Sequence, residues 1–157
     1  MPVDTSFFDN AFELAFEGIR NNSGGPFGAV IVRDGKMIGS GCNCVTSSND
    51  PTAHAEISAI RDACRNTGTF DLTGAEIYST CEPCPMCFSA IYWANIKTVY
   101  FCSSRFDAAK IGFRDNHIYE EISIPPDERT IPFLQVDHPG ASKLFSEWVG
   151  KQDKTLY

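Results

Sequence analysis

The chain has 157 residues, the length of one globular domain at roughly 100 to 200 residues per domain. Hydrophobic residues make up 43% of it and charged residues 21%, a composition that excludes disordered, collagen-like and coiled-coil proteins. The 13 Lys and Arg residues against 20 Asp and Glu residues give a net charge of −7, which disfavours nucleic acid as a partner. Its uncharged stretches fall short of the ~20 apolar residues of a membrane-spanning helix, so we expect no membrane contact.

The N-terminal residues do not resemble a signal peptide. Acidic residues interrupt the apolar ones at Asp9, Glu13 and Glu17, and a basic region is missing. We therefore predict a cytoplasmic protein. Seven cysteines in such a chain favour metal binding or thiol chemistry over a disulfide framework.

Hydrophobic periodicity divides the chain into strands and helices. Asp34-Gly35 suits a tight type I′ hairpin turn, and Asn49-Asp50-Pro51 has the order of a helix N-cap followed by proline. In chain order, the predicted elements are a helix from Thr5 or Ser6 to Arg20, strands 27–33 and 36–41, a helix from 49–51 to Gly68, a strand 76–80, a helix 85–94, a strand 98–102, a helical turn 107–112, a strand 134–137 and a helix 141–149. The later strands are expected to be parallel because helices connect them. This order predicts an α/β fold, a three-layer α/β/α sandwich around a mixed sheet of about five strands.

The segment from Phe113 to Phe133 has little periodicity. A stretch of this length without clear structure is unusual inside a domain. We interpret it as an active-site lid, a crossover to a partner subunit or a strand with an obscured pattern. Because the chain shows no repeat or linker, we treat residues 1–157 as a single domain.

Two motifs at predicted helix N-termini supply the ligands of a metal site, His54-Ala55-Glu56 and the pair Cys84 and Cys87. The two cysteines are three residues apart, so they share one face of the first helical turn, where the helix dipole favours thiolates. With His54 they offer three ligands to a zinc ion and leave a fourth position for water, as in catalytic zinc sites. Glu56 is placed to move protons without binding the metal.

Other interpretations of these cysteines stay open. The run of Cys81, Cys84 and Cys87 begins like an iron–sulfur motif, although Ile91 stands where the fourth cysteine is expected. A redox pair would not explain the neighbouring histidine and glutamate. A structural zinc site in a binding module would need a fourth ligand, such as Asp50 or Cys81. The remaining cysteines are interpreted as small buried apolar residues: Cys42, Cys44, Cys64 and Cys102.

The two motifs resemble the zinc-dependent deaminase superfamily, in which H-x-E and P-C-x-x-C form the signature of the nucleobase deaminases. The likeness extends through segments 24–32, 49–56, 81–87, 90–94 and 111–113, and it includes Asn43 and Tyr157. This pattern is similar to that of the short bacterial guanine deaminases. The resemblance implies a cytidine deaminase-like fold.

By that resemblance, His54, Cys84 and Cys87 hold one zinc ion per chain, and Glu56 carries protons from a zinc-activated water to the purine ring and the leaving amine. The reaction implied is hydrolytic deamination of guanine at C2, which yields xanthine and ammonia. Asp115 is implied to assist proton transfer at the amine. Contacts with the substrate are assigned to Asn43, Phe27, Ala55, Asp115 and Tyr157.

The resemblance also implies a homodimer in which the C-terminal segment, residues 113–157, crosses to the partner subunit. Tyr157 would then complete the neighbouring active site. Two alternatives within the superfamily are a guanosine deaminase and a tRNA adenosine deaminase. The second must hold an anticodon stem-loop, against which the net charge of −7 argues.

Overall fold

The structure is a computed structural model that describes residues 3–157. The chain divides into two compact units, the first ending at Asn116 and the second covering residues 117–157. Across residues 3–157, no helix combines the length and the apolar character needed to cross a membrane.

The first unit is built on a mixed sheet, which has four strands within the described residues. The strands are β1 (Gly28–Arg33), β2 (Lys36–Cys42), β3 (Glu76–Cys81) and β4 (Thr98–Ser103), in the spatial order β2-β1-β3-β4. β1 pairs antiparallel with both β2 and β3, whereas β3 pairs parallel with β4. The predicted parallel pairing of the later strands is confirmed.

β1 and β2 form the predicted hairpin. Asp34 and Gly35 both have positive φ angles, 52° and 72°, as a type I′ turn requires. The pairing register shifts after Ile31: Ile31 faces Gly39, whereas the next residue, Val32, faces Met37. The extra residue in β2 makes a β-bulge, and such bulges increase the local twist of a sheet.

Helices cover both faces of this sheet. They are α1 (Ser6–Arg20), α2 (Val45–Ser48), α3 (Ala55–Thr67), α4 (Pro85–Trp93) and α5 (Arg105–Lys110). Alternate side chains of β1 point to opposite faces. Val30 and Val32 pack with Ala11 of α1, whereas Ala29 and Ile31 belong to the core formed with α3 and α4. The predicted three-layer sandwich is confirmed.

Glycines allow the helices to approach the sheet closely. A Cβ atom on Gly28 would lie 2.0 Å from the Ala11 carbonyl oxygen of α1. A Cβ atom on Gly41 would lie 2.6 Å from the Ala59 nitrogen of α3. α3 therefore lies against β2 at a distance that no larger residue at Gly41 permits.

The predicted start of the second long helix is wrong. α3 begins at Ala55 with His54 as its N-cap, several residues after Pro51. Asp50 caps a turn instead, since its carboxylate accepts hydrogen bonds from the backbone and hydroxyl of Thr52 at 2.8 and 2.7 Å. The Asn-Asp-Pro order favours a helix N-terminus as well as a turn, and here it forms a turn that precedes His54.

The second unit contains α6 (Asn116–Ser123, which begins one residue before it), a 3₁₀ turn (Pro126–Glu128) and α7 (Pro139–Gly150). The strand predicted at 134–137 is wrong, because these residues are irregular. The alternating apolar residues Leu134 and Val136 are 72% and 80% exposed. Within the described residues, this segment has no neighbouring strand with which to pair. For the same reason the described sheet has four strands and not about five.

Candidate active site

The N-termini of α3 and α4 bring the three predicted ligands together. His54 is the N-cap of α3, Cys84 is the N-cap of α4, and Cys87 lies in the first turn of α4. The Nδ1 atom of His54 lies 3.5 Å from Cys84 Sγ and 3.6 Å from Cys87 Sγ. In a tetrahedral site with Zn–S of about 2.3 Å and Zn–N of about 2.0 Å, nitrogen and sulfur lie about 3.5 Å apart. The three side chains therefore fit a zinc ion.

In the metal-free group the electrostatics favour a thiolate at Cys84, whereas the hydrogen bond with Cys84 raises the pKa of Cys87. Hydrogen bonds from Cys87 and from His54 lower the pKa of Cys84 to about 4. The hydrogen bond to Cys84 is also the main reason that the pKa of His54 is raised. Cys84 is thus held as a thiolate, which is the form that ligates metal.

The candidates for a fourth protein ligand lie outside this group, which among the described residues has three members. Cys81 is buried and its thiol donates a weak hydrogen bond of 3.7 Å to the Ser104 carbonyl oxygen. The carboxylate of Asp50 is engaged by Thr52 and by Arg61, whose guanidinium lies 3.5 Å away. A site with three protein ligands leaves a coordination position open, as catalytic zinc sites do.

Glu56 is a buried carboxylic acid beside the ligands, with 6% of its surface exposed. Burial raises its pKa. Its Oε1 accepts a hydrogen bond of 3.2 Å from the Ser79 hydroxyl, and its Oε2 accepts one of 3.4 Å from the Cys87 thiol. The sequence analysis did not identify Ser79, because a single serine within a buried strand gives no pattern that distinguishes it.

A cavity of about 220 Å³ opens beside the ligands, within the first unit. Six predicted site residues line it: Phe27, Asn43, His54, Glu56, Cys84 and Asp115. Cys81, which the sequence placed beside the site, also lines it. The sequence analysis did not predict the remaining lining residues: Glu82, Arg105, Ala108, Phe113 and Arg114. Ala55 lies in the hydrophobic core and is not among the lining residues. Tyr157 belongs to the second unit, so its role stays a prediction.

Asn43 and the aromatic wall define the shape of this cavity. The Oδ1 atom of Asn43 accepts hydrogen bonds from the backbone N–H groups of Gly25 and Val45, at 3.1 and 3.3 Å. Because these partners can only donate, the carboxamide NH₂ is left to donate to a ligand. Phe27 and Phe113 meet edge to face, with ring centroids 4.8 Å apart. The cavity thus offers an apolar wall and an oriented donor.

One of the cysteine interpretations needs correction. Cys102 is exposed on β4 and is not a buried apolar residue, because the side chains near the end of this edge strand are uncovered in the described chain. Cys42, Cys44 and Cys64 are half-buried, so the interpretation holds for them only in part.

Comparisons with known proteins agree with this geometry. The family model of the cytidine and deoxycytidylate deaminase zinc-binding region matches residues 1–103. Guanine deaminase of Bacillus subtilis (strain 168) is 50% identical over 152 residues, which are 97% of each chain. This chain belongs to the zinc-dependent guanine deaminase family. The X-ray structure of the guanine deaminase from Bacillus subtilis matches it with a TM-score of 0.95 and 49% identity over 99% of both chains.

The likeness to the guanine deaminases continues past residue 103 to nearly the whole chain. A tRNA-specific adenosine deaminase of Buchnera aphidicola is 46% identical over 88 residues. Those residues are 56% of this chain and 58% of that protein. The two kinds of relative therefore differ in how much of the chain they match.

Proposed function

We propose that this protein is a guanine deaminase, which hydrolyses guanine at C2 to xanthine and ammonia. The observation that carries the proposal is the 50% identity to Bacillus subtilis guanine deaminase over 97% of both chains. The chemistry of the site supports it, since a three-ligand group, a buried acid and a cavity with an aromatic wall lie side by side.

We assign the binding of one zinc ion to His54, Cys84 and Cys87. When bound, zinc supplies a water molecule with its pKa lowered to about 7, and hence a nucleophile at neutral pH. The separations of 3.5 and 3.6 Å between His54 Nδ1 and the two sulfur atoms support this assignment.

Glu56 is the proposed proton carrier. It takes a proton from the attacking water and gives it to the purine ring. It then takes the remaining proton from the hydroxyl group added at C2 and gives it to the leaving amine. The hydrogen bond from Ser79 holds Oε1, whereas the Cys87 thiol loses its proton when it ligates the metal and leaves Oε2 to exchange protons. Burial raises the pKa of Glu56 toward the range in which it can both accept and donate. Proton transfer by such a group contributes typically about 10² to 10⁴ in rate.

Four residues of the first unit are proposed to position guanine. The carboxamide NH₂ of Asn43 donates to an acceptor on the purine, and Phe27 packs against the ring. Asp115 accepts from the N–H groups of the opposite edge and assists proton transfer at the amine. Ala55 contributes through its backbone at the start of α3, where N–H groups have no intrahelical partner.

We further propose a homodimer in which the C-terminal tail crosses to the partner, so that Tyr157 completes the neighbouring site. Because Phe113 and Asp115 line the cavity of their own chain, we place the start of the crossing tail at about residue 117 and not at about residue 113. Apolar side chains on the second unit support an intermolecular surface, because Phe145 and Val149 of α7 are 72% and 71% exposed. A cytoplasmic location and a role in purine catabolism stay predictions.

Two related activities are the alternatives. A guanosine deaminase would use the same ligands with a cavity that also admits ribose. A tRNA adenosine deaminase is favoured by the 46% identity to the Buchnera aphidicola protein, but that likeness covers 56% of the chain. The net charge of −7 also opposes the binding of RNA.

The deciding experiment measures ammonia release by zinc-loaded protein from guanine, guanosine, adenine and cytosine. We expect release from guanine, and we expect Glu56→Ala to keep its zinc and fold while turnover falls by at least about 10². Preference for guanosine would move the substrate to nucleosides. Inactivity on all four, with inosine formed in tRNA, would replace the proposal by the tRNA activity.

The metal assignment has its own test. Cys84→Ala should lose zinc, which elemental analysis of the purified variant measures, because two ligands hold the ion poorly. Cys102→Ala removes an exposed thiol outside the group and is the matched control. Loss of zinc from Glu56→Ala, or full zinc content in Cys84→Ala, would contradict the assigned roles.

A further inference from the structure

Cys42 and Cys44 form a pair of thiols outside the zinc group. Cys42 ends β2, Cys44 is the N-cap of α2, and their Sγ atoms lie 3.4 Å apart. Both side chains are half-buried, and neither has a role in the proposed reaction. A disulfide bond is about 2.05 Å long, so the two sulfur atoms need to approach by only about 1.3 Å to be joined.

Asn43 lies between the two cysteines and is fixed on several sides. Its Oδ1 accepts the hydrogen bonds from Gly25 and Val45, and its backbone N–H donates to the Phe27 carbonyl oxygen at 3.0 Å. A Cβ atom on Gly24 would lie 2.1 Å from Asn43 Oδ1, which shows how closely the glycine loop packs on this side chain. A rotation of the backbone at Asn43 therefore displaces its carboxamide in the cavity.

The first cysteine of the pair has little freedom to move. Cys42 packs against α1 at Gly18, where an added Cβ would lie 3.3 Å from Cys42 Cβ. Asn43 and Cys44 must therefore move if the two sulfur atoms are to approach each other. The backbone N–H of Cys44 donates to the Ala53 carbonyl oxygen at 2.9 Å, and Ala53 precedes the proposed ligand His54. A movement of Cys44 therefore also disturbs the backbone beside the site.

We propose that Cys42 and Cys44 form a reversible intramolecular disulfide that displaces Asn43 and weakens the binding of guanine. This inference rests on the proposed function, which assigns Asn43 to the substrate. The oxidant is a small-molecule disulfide such as oxidised glutathione. A disulfide closed across one intervening residue strains the backbone, and strained disulfides are readily reduced, which makes the modification reversible.

The reaction proceeds by two thiol–disulfide exchanges. The Cys44 thiolate attacks one sulfur of oxidised glutathione, forms a mixed disulfide and releases one glutathione thiolate. Cys42 then attacks the Cys44 sulfur and releases the second. Two protein thiols lose two electrons and two protons, and one oxidised glutathione becomes two reduced molecules. Burial and the contact with Cys44 raise the pKa of Cys42 to about 11, which makes Cys42 the later of the two attackers.

The test treats zinc-loaded protein with oxidised glutathione, blocks the free thiols and digests with trypsin. The peptide Met37–Arg61 contains Cys42 and Cys44 and no other cysteine. We expect its mass to fall by two hydrogens, with the zinc content unchanged. We also expect KM for guanine to rise roughly fivefold, the loss of one hydrogen bond to the substrate, and to recover on reduction.

Variants separate this effect from other oxidation. In Cys42→Ala the peptide should carry a glutathione adduct and no internal disulfide, and KM should stay within about twofold of the reduced value. Cys102→Ala should respond like the wild-type protein. A peptide that keeps both hydrogens, or a disulfide that leaves KM unchanged, would overturn the inference. If the reduced protein does not act on guanine, the proposed function fails, while the peptide mass still decides whether the disulfide forms.

Discussion

Glu56 is oriented by a hydroxyl group that comes from a different layer of the fold. Ser79 projects from β3 toward α3 and is 1% exposed, so its hydroxyl has been withdrawn from water to reach Glu56 Oε1. A buried hydroxyl of this kind is retained at a cost unless it is hydrogen-bonded. Ser79 therefore acts as a positioning residue for the proton carrier.

Ser79→Ala should lower kcat for guanine by roughly five- to tenfold, since one hydrogen bond contributes about 1 kcal/mol. KM and zinc content should stay unchanged, because the substitution leaves the ligands and Asn43 in place. Steady-state kinetics with metal analysis measures both. Ser89→Ala is the control, as its hydroxyl bonds the Pro85 carbonyl oxygen within α4. Equal losses in the two variants would contradict the positioning role.

Sequence spacing predicted the site residues that lie close together in the chain. Cys84 and Cys87 lie within one helical turn, so three residues of spacing suffice to place both sulfur atoms on one face. Ser79 and Asn43 reach the site only because separate strands meet there. Contacts between distant segments leave no local pattern in a single sequence. The resemblance to a family was therefore needed to identify Asn43.

The packing of α1 on the sheet depends on a strand position without a side chain. Gly28→Ala places a Cβ atom 2.0 Å from the Ala11 carbonyl oxygen, and backbone atoms must move to make room. We expect the free energy of unfolding to fall by about 1–3 kcal/mol, as for other overpacked interiors. Urea denaturation measures this. Gly150→Ala is the matched control, since its Cβ meets no atom within 4 Å. Equal stability of the two variants would contradict the close approach.

Tyr78 links α1 to the sheet, and its ionisation lowers the stability of the fold at high pH. Its ring packs against Phe7 and Phe8 of α1, with centroids 5.2 and 5.3 Å away. Burial, and then the nearby Glu76 carboxylate, raise the pKa of Tyr78 to about 12. The unfolded chain ionises this hydroxyl near pH 10, so the stabilisation is complete below that pH and is lost as the pH rises to about 12.

The free energy of unfolding of the wild-type protein minus that of Tyr78→Phe should therefore fall between pH 9 and pH 11.5, measured by denaturant titration. The phenylalanine variant has no hydroxyl to ionise and lacks this term, whereas other groups contribute equally to both proteins. Tyr92→Phe alters a tyrosine that is 69% exposed and serves as the control. A difference that grows with pH would refute the assignment.

Elements with strong local patterns were predicted well. α1, the hairpin turn and α4 each follow from periodicity or from a pair of turn residues. The start of α3 was misplaced because Asn49-Asp50-Pro51 satisfies a turn as well as a helix N-terminus. The strand at 134–137 was wrong because apolar alternation is necessary for a half-buried strand but does not supply the neighbour that a strand must pair with.

At the scale of the whole molecule, the proposed exchange of tails can be tested by mixing two inactive variants. Glu56→Ala lacks the proton carrier in the body of the chain, and Tyr157→Ala lacks the tail contact. If tails cross within a symmetric dimer, the mixed dimer contains one site with both parts intact. Unfolding and refolding an equal mixture should then restore about a quarter of the wild-type activity.

Each variant refolded alone is the control and should stay inactive. Activity that does not return in the mixture, with mixed dimers present by mass spectrometry, would refute the crossing. The sequence could not settle this arrangement, since apolar residues on α7 do not identify the chain against which they would pack.

The separation of the zinc ligands along the chain has a consequence for synthesis. His54 leaves the ribosome 33 residues ahead of Cys87, and β3, the second partner of β1, lies between them. During that interval the edge of β1 that later pairs with β3 is uncovered, and His54 has neither cysteine beside it. The complete set of ligands therefore exists only after the first turn of α4 has emerged, so metal capture is a late event in the making of the first unit.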